Sequence, residues 1–126
     1  GRVEYRNLPE YFRLGDLFVM PSRSRLAGLE VEGLGIVYLE ASASGIAVLA
    51  GKSGGAPDAV IVGETGELVD GTNVDEIANV INQMLDNPSK LMEMGERGRV
   101  WTVDTWSWQT WGERFKEVLF GNQVVG

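Results

Sequence analysis

The chain has 126 residues, 44% of them hydrophobic and 23% charged, which places it among ordinary globular domains and excludes disordered and collagen-like classes. Its 18 acidic against 11 basic residues give a net charge of −7, which disfavours nucleic acid or an anionic membrane surface as the main partner. Cysteine and histidine are both absent, so disulfides, thiolate or imidazole metal sites and His-based proton transfer are unavailable to this chain.

A first short strand is expected at Val3 to Tyr5, then a helical stretch from Leu8 to Leu14. The apolar run Leu17-Phe18-Val19-Met20 reads as a strand stopped by Pro21. Ser22 to Leu34 is a polar, glycine-containing loop, Gly35 to Ser44 a helix, and Ile46 to Ala50 another strand. Gly54-Gly55-Ala56-Pro57 opens a short helix, and one or two brief strands fall between Val60 and Val69 around Gly63 and Gly66. Ile77, Val80, Ile81, Met84 and Leu85 share one helix face, with Asn73 and Glu76 as a capping box and Pro88 at the exit. The next helix, Ser89 to about Val103, reads as weak and interrupted by Gly95 and Gly98. The last starts at Ser107 and lines up Trp108, Trp111, Phe115, Val118 and Leu119, with Trp106 placed to staple against Trp111. Apolar strands alternating with helices predict an α/β fold, a Rossmann-like parallel sheet flanked by helices, in one domain over 1–126. Without a long apolar run or an opening signal segment, a cytoplasmic location is expected, any membrane-peripheral role being carried by another domain.

The segment Glu32-Gly33-Leu34-Gly35-Ile36-Val37-Tyr38-Leu39-Glu40 concentrates the chemistry. A helix beginning near Gly35 leaves Glu32 in the preceding loop and Glu40 just over one turn inside, with free backbone N–H groups between them. That arrangement suits a ligand with a diphosphate in its middle and hydroxyl-rich sugars at both ends. The helix start attracts the anion, and each carboxylate accepts hydroxyl hydrogen bonds. A carboxylate that merely complements the helix dipole would look the same in sequence.

The Glu-x7-Glu spacing from Glu32 to Glu40 resembles the signature of retaining glycosyltransferases with two Rossmann-like domains, the GT-B architecture. The order of segments agrees: Gly15 to Ser22, Gly45 to Val48, Ser53 to Asp58, Gly66 to Val69 and Trp106-Ser107-Trp108 are similar to successive family segments across nearly the whole chain. Ala47 and Asp58 stand where proline and glutamate are usual. The loop Ser22 to Val31 is most similar to that of actinobacterial phosphatidylinositol mannosyltransferases using GDP-mannose.

This resemblance implies the C-terminal, nucleotide-sugar-binding domain of such an enzyme, incomplete on its N-terminal side. Catalytic Glu32 would hold hydroxyls of the transferred sugar. Gly33, Leu34 and Gly35 would contact sugar and phosphate, Ile36 and Val37 would face the diphosphate, and Glu40 would bind the ribose. The resemblance further implies mannose transfer without metal or cofactor to a lipid-linked, phosphatidylinositol-type acceptor held by an N-terminal domain. It also implies an Arg and a Lys against the diphosphate from a segment that would precede Gly1, and a histidine on that first domain, so the chain alone is expected to be inactive. A dinucleotide-binding domain is the alternative, opposed by Tyr38 where a third glycine would stand; a non-catalytic interaction domain is another. Arg23 and Arg25 read as solvated loop charges or contacts to phosphate or the acceptor lipid, and Lys52 as a surface charge or phosphate contact.

Overall fold

A computed structural model describes residues 2–121. Three strands, β1 (Leu17–Met20), β2 (Ala47–Gly51) and β3 (Gly66–Val69), form a parallel sheet in the order β1-β2-β3. Phe18 lies beside Val48 and Ala50 beside Leu68. Every residue of central β2 is buried, as expected of a parallel strand covered on both faces. Its side chains alternate accordingly. Val48 and Ala50 join a core with Tyr38, Ala41 and Ala59, whereas Ala47 and Leu49 pack with Val69, Met84, Leu91 and Met94.

Five α-helices surround the sheet: α1 (Leu8–Phe12), α2 (Ile36–Ala43), α3 (Val74–Leu85), α4 (Pro88–Trp106) and α5 (Trp108–Phe120). Three of them start on a side-chain cap. Asn73 Oδ1 accepts from the Glu76 N–H at 3.0 Å, Asn87 Oδ1 from the Lys90 N–H at 3.1 Å, and Ser107 Oγ from the Thr110 N–H at 3.2 Å. Trp106 does pack against Trp111, ring centroids 5.5 Å apart, across the Ser107 cap.

Two local expectations are corrected. Val3 to Tyr5 form no strand; a 3-10 turn runs from Tyr5 to Asn7 into α1. A strand needs a neighbour, and among the described residues none pairs with this segment. Nor is the fourth helix interrupted: α4 runs unbroken for 19 residues. Its two glycines serve close packing instead. A Cβ at Gly95 would collide with the Gly45 carbonyl and lie 3.2 Å from the Ala47 nitrogen, and one at Gly98 would lie 3.4 Å from the Ser42 side chain. The helix-propensity penalty of about 1 kcal/mol per glycine is offset by backbone-close contact with α2 and β2. The helix α5, by contrast, buries none of its residues, and Trp108 is 93% exposed. Among the described residues no helix is long and apolar enough to cross a membrane.

Candidate functional site at the entrance to helix α2

The loop after β1 and the start of α2 lie beyond the carboxyl end of the sheet, where ligands bind in open parallel folds. Gly35 is the N-cap of α2 in the left-handed conformation, φ 72°, and a side chain there would strike the Tyr38 ring. Among the described residues, the N–H groups of Gly33, Leu34, Gly35, Ile36 and Val37 donate to no protein acceptor. The first intrahelical bond is donated by Tyr38 N–H to the Gly35 carbonyl at 2.9 Å. Five consecutive donors thus remain available at the positive end of a helix.

The loop is seated on main chain. The N–H of Gly55 donates to the carbonyls of both Glu32 (3.2 Å) and Gly33 (2.8 Å). Ser53 Oγ accepts from the Glu32 N–H at 3.3 Å and sits 3.1 Å from Ser24 Oγ. At Gly54 a Cβ would run into the Glu32 carbonyl, so the 53–55 turn and the Glu32 loop are in backbone contact. Glu32 and Glu40 are both half-buried, one before the donor row and one after it, and among the described residues neither is in an ion pair. Glu40 borders an apolar groove of about 600 Å³ that also takes in Leu34, Ile36, Trp106, Trp108 and Trp111.

Two of the remaining charged candidates are paired. Lys52 Nζ is 3.6 Å from Glu76 Oε1 on α3, and Arg25 Nε is 3.8 Å from Glu30 Oε2 across the loop. Among the described residues no group of three or more acidic side chains gathers as a metal site would require.

Sequence reasoning passed over Tyr38, having noted it only as the absence of a glycine. The residue is wholly buried; its hydroxyl donates to the Met20 carbonyl at 2.8 Å and lies 2.8 Å from Ser22 Oγ. Burial raises its pKa above the ordinary 10.0; the Ser22 hydrogen bond works against that rise and the charge of Glu32 adds to it. The folded chain therefore holds this proton more tightly than the unfolded one. Its contribution to stability is complete below the unfolded value of 10.0 and is lost as pH climbs through and past it. Denaturant unfolding between about pH 9 and pH 11 is expected to show a steeper loss of stability in the unaltered chain than in Tyr38→Phe. Parallel losses would show that this phenol carries no such linkage.

A parallel sheet with a glycine-led helix entrance and flanking carboxylates at its carboxyl edge defines a Rossmann-like ligand-binding domain. The chain belongs to the family described as glycosyl transferases group 1, whose sequence pattern matches residues 1–101. It is 52% identical over 121 residues to a GDP-mannose-dependent alpha-(1-6)-phosphatidylinositol monomannoside mannosyltransferase of Mycolicibacterium smegmatis, covering 96% of this chain and 32% of that one. Against the GDP-mannose-dependent monoacylated alpha-(1-6)-phosphatidylinositol monomannoside mannosyltransferase of Corynebacterium glutamicum, identity is 45% over 119 residues, covering 94% and 31%. The chain thus spans about a third of the length of these relatives. Among solved structures, the sucrose-phosphate synthase of Thermosynechococcus elongatus superposes with a TM-score of 0.81 at 28% identity, covering 94% of this chain and 29% of that one. The C-terminal domain of a group 1 glycosyl transferase from Francisella tularensis gives 0.72 at 25% identity, covering 86% and 53%. The expected fold class, a parallel α/β domain of the GT-B type, is borne out.

Proposed function

We propose that this chain is the donor-binding part of a retaining mannosyltransferase that takes mannose from GDP-mannose and passes it to a phosphatidylinositol-type lipid acceptor. The observation that carries the reading is the row of five unpartnered N–H groups between two half-buried carboxylates. The diphosphate lies against the N–H groups of Gly35, Ile36 and Val37. Glu32 accepts hydrogen bonds from hydroxyls of the mannose, Gly33 and Leu34 contact that sugar along their backbone, and Glu40 accepts from the ribose hydroxyls. As the glycosidic bond to phosphate breaks, charge grows on the departing diphosphate, and preorganised N–H donors stabilise it without reorganisation. Holding the sugar in one orientation supplies the rest of this domain's share. The acceptor is held by a separate N-terminal domain and further cationic contacts to the diphosphate come from outside this chain, so this chain alone binds donor without transferring it. No metal is required in this scheme. The names of the mannosyltransferases that it resembles support the choice of GDP-mannose and of a lipid-linked acceptor.

Calorimetric titration of GDP and GDP-mannose separates the two carboxylates. Loss of a charge-assisted hydrogen bond is worth about 1.5 kcal/mol or more, roughly tenfold in affinity. Glu40→Ala is therefore expected to weaken both ligands by about tenfold, and Glu32→Ala to weaken GDP-mannose by a similar factor while sparing GDP. Unchanged affinities in both variants would remove the site, and binding of NAD without response to GDP would favour a dinucleotide-binding domain instead.

A further inference from the structure

Resting on that reading of the helix entrance, we infer that Tyr38 is a positioning residue. Through Ser22 and the Met20 carbonyl, it holds the five N–H donors in register for a diphosphate. The hydrogen bonds can be ordered. The single phenolic proton goes to the Met20 carbonyl, so the 2.8 Å contact with Ser22 is donated by the serine hydroxyl. The Ser22 N–H also donates to the Met20 carbonyl, at 2.8 Å. Three groups thus close a small ring at the point where β1 ends and the donor loop begins.

That point is itself fixed. A Cβ at Gly51 would overlap the Ser22 backbone, and one at Gly71 would overlap the carbonyls of Pro21 and Ser22, so Ser22 is wedged between two stretches of main chain. At the other end of the phenol, the ring lies directly beneath Gly35, whose absent side chain leaves the room it occupies. Tyr38 also closes the first hydrogen bond of α2 onto the Gly35 carbonyl. Phe18 braces the ring edge-to-face, centroids 6.1 Å apart at 74°. The side chain therefore spans from a closely packed strand end to the residue that opens the anion-binding helix. The phenol, whose ordinary pKa of 10.0 burial raises further, is neutral and so a donor throughout the physiological range.

Tyr38→Phe keeps the ring and its packing but removes the link. It is expected to weaken GDP by about fivefold to tenfold and GMP by clearly less, because only the diphosphate spans the donor row. Ser22→Ala is expected to reproduce the same split, and the double variant to be no weaker than the worse single one, since both act on one ring of hydrogen bonds. Equal losses for GDP and GMP, or full additivity in the double variant, would overturn the positioning role. So would unchanged GDP affinity in a folded Tyr38→Phe. If the unaltered chain binds neither nucleotide, the donor-site reading itself fails and takes this inference with it.

Discussion

Gly95→Ala is expected to destabilise the fold by about 2 kcal/mol, although alanine is the better helix former. The propensity gain of about 1 kcal/mol is real, and a control exists for it at Gly112 on α5, where an added Cβ would meet nothing within 4 Å. At Gly95 the same methyl group is driven into the Gly45 carbonyl, next to the Ala47 nitrogen where β2 starts. Those atoms are main chain, so no rotamer change relieves them. Overpacking against such a wall costs about 3 kcal/mol, the upper end of the usual range. Thermal unfolding followed by circular dichroism should place Gly95→Ala roughly 8 °C below the unaltered chain and Gly112→Ala slightly above it. Equal midpoints for the two variants would mean that α4 does not approach the sheet this closely.

Gly54→Ala is expected to abolish donor binding, by more than about a hundredfold, while most of the fold survives. Gly54 sits at φ +54°, and a Cβ there would run into the carbonyl oxygen of Glu32. The left-handed conformation costs an alanine roughly 1–2 kcal/mol. The collision is expected to displace the largely exposed loop carrying Glu32, rather than the turn anchored by buried Ser53 and Ala56, so it costs the site more than the fold. Glu32 then leaves the sugar, and the Gly55 bonds that seat Glu32 and Gly33 lengthen, shifting the row of N–H donors behind them. Losing two charge-assisted contacts, about 3 kcal/mol, accounts for the hundredfold. Titration with GDP-mannose alongside circular dichroism checks both halves of the statement; retained affinity in Gly54→Ala would show that this backbone contact does not set the site.

Most strands and helices were legible because their signals are local. The apolar run Leu17 to Met20 needed no context, and Asn73 and Ser107 announced the helix starts that they cap. Gly95 and Gly98 misled for a definite reason. In isolation glycine weakens a helix, and only the neighbouring β2 and α2 reveal why it is required there. Val3 to Tyr5 misled likewise, since an alternating Val-Glu-Tyr triplet becomes a strand only beside another one. In the site, spacing alone placed Glu32 and Glu40 on either side of the helix start. The supports under that start, Tyr38, Ser22, Ser53 and the 53–55 turn, come from segments distant in sequence and meet only in the fold.

The Glu32–Gly33 loop rests on the Gly55 amide and the Ser53 hydroxyl of the 53–55 turn, and the side chain of the 64%-exposed Ile36 takes no part in those bonds. Under the proposed reading, exchanging outward residues such as Ile36 is expected to leave the row of N–H donors undisturbed. The close backbone contact of Gly54 and Gly55 with the Glu32–Gly33 loop is the part that leaves no room for a side chain.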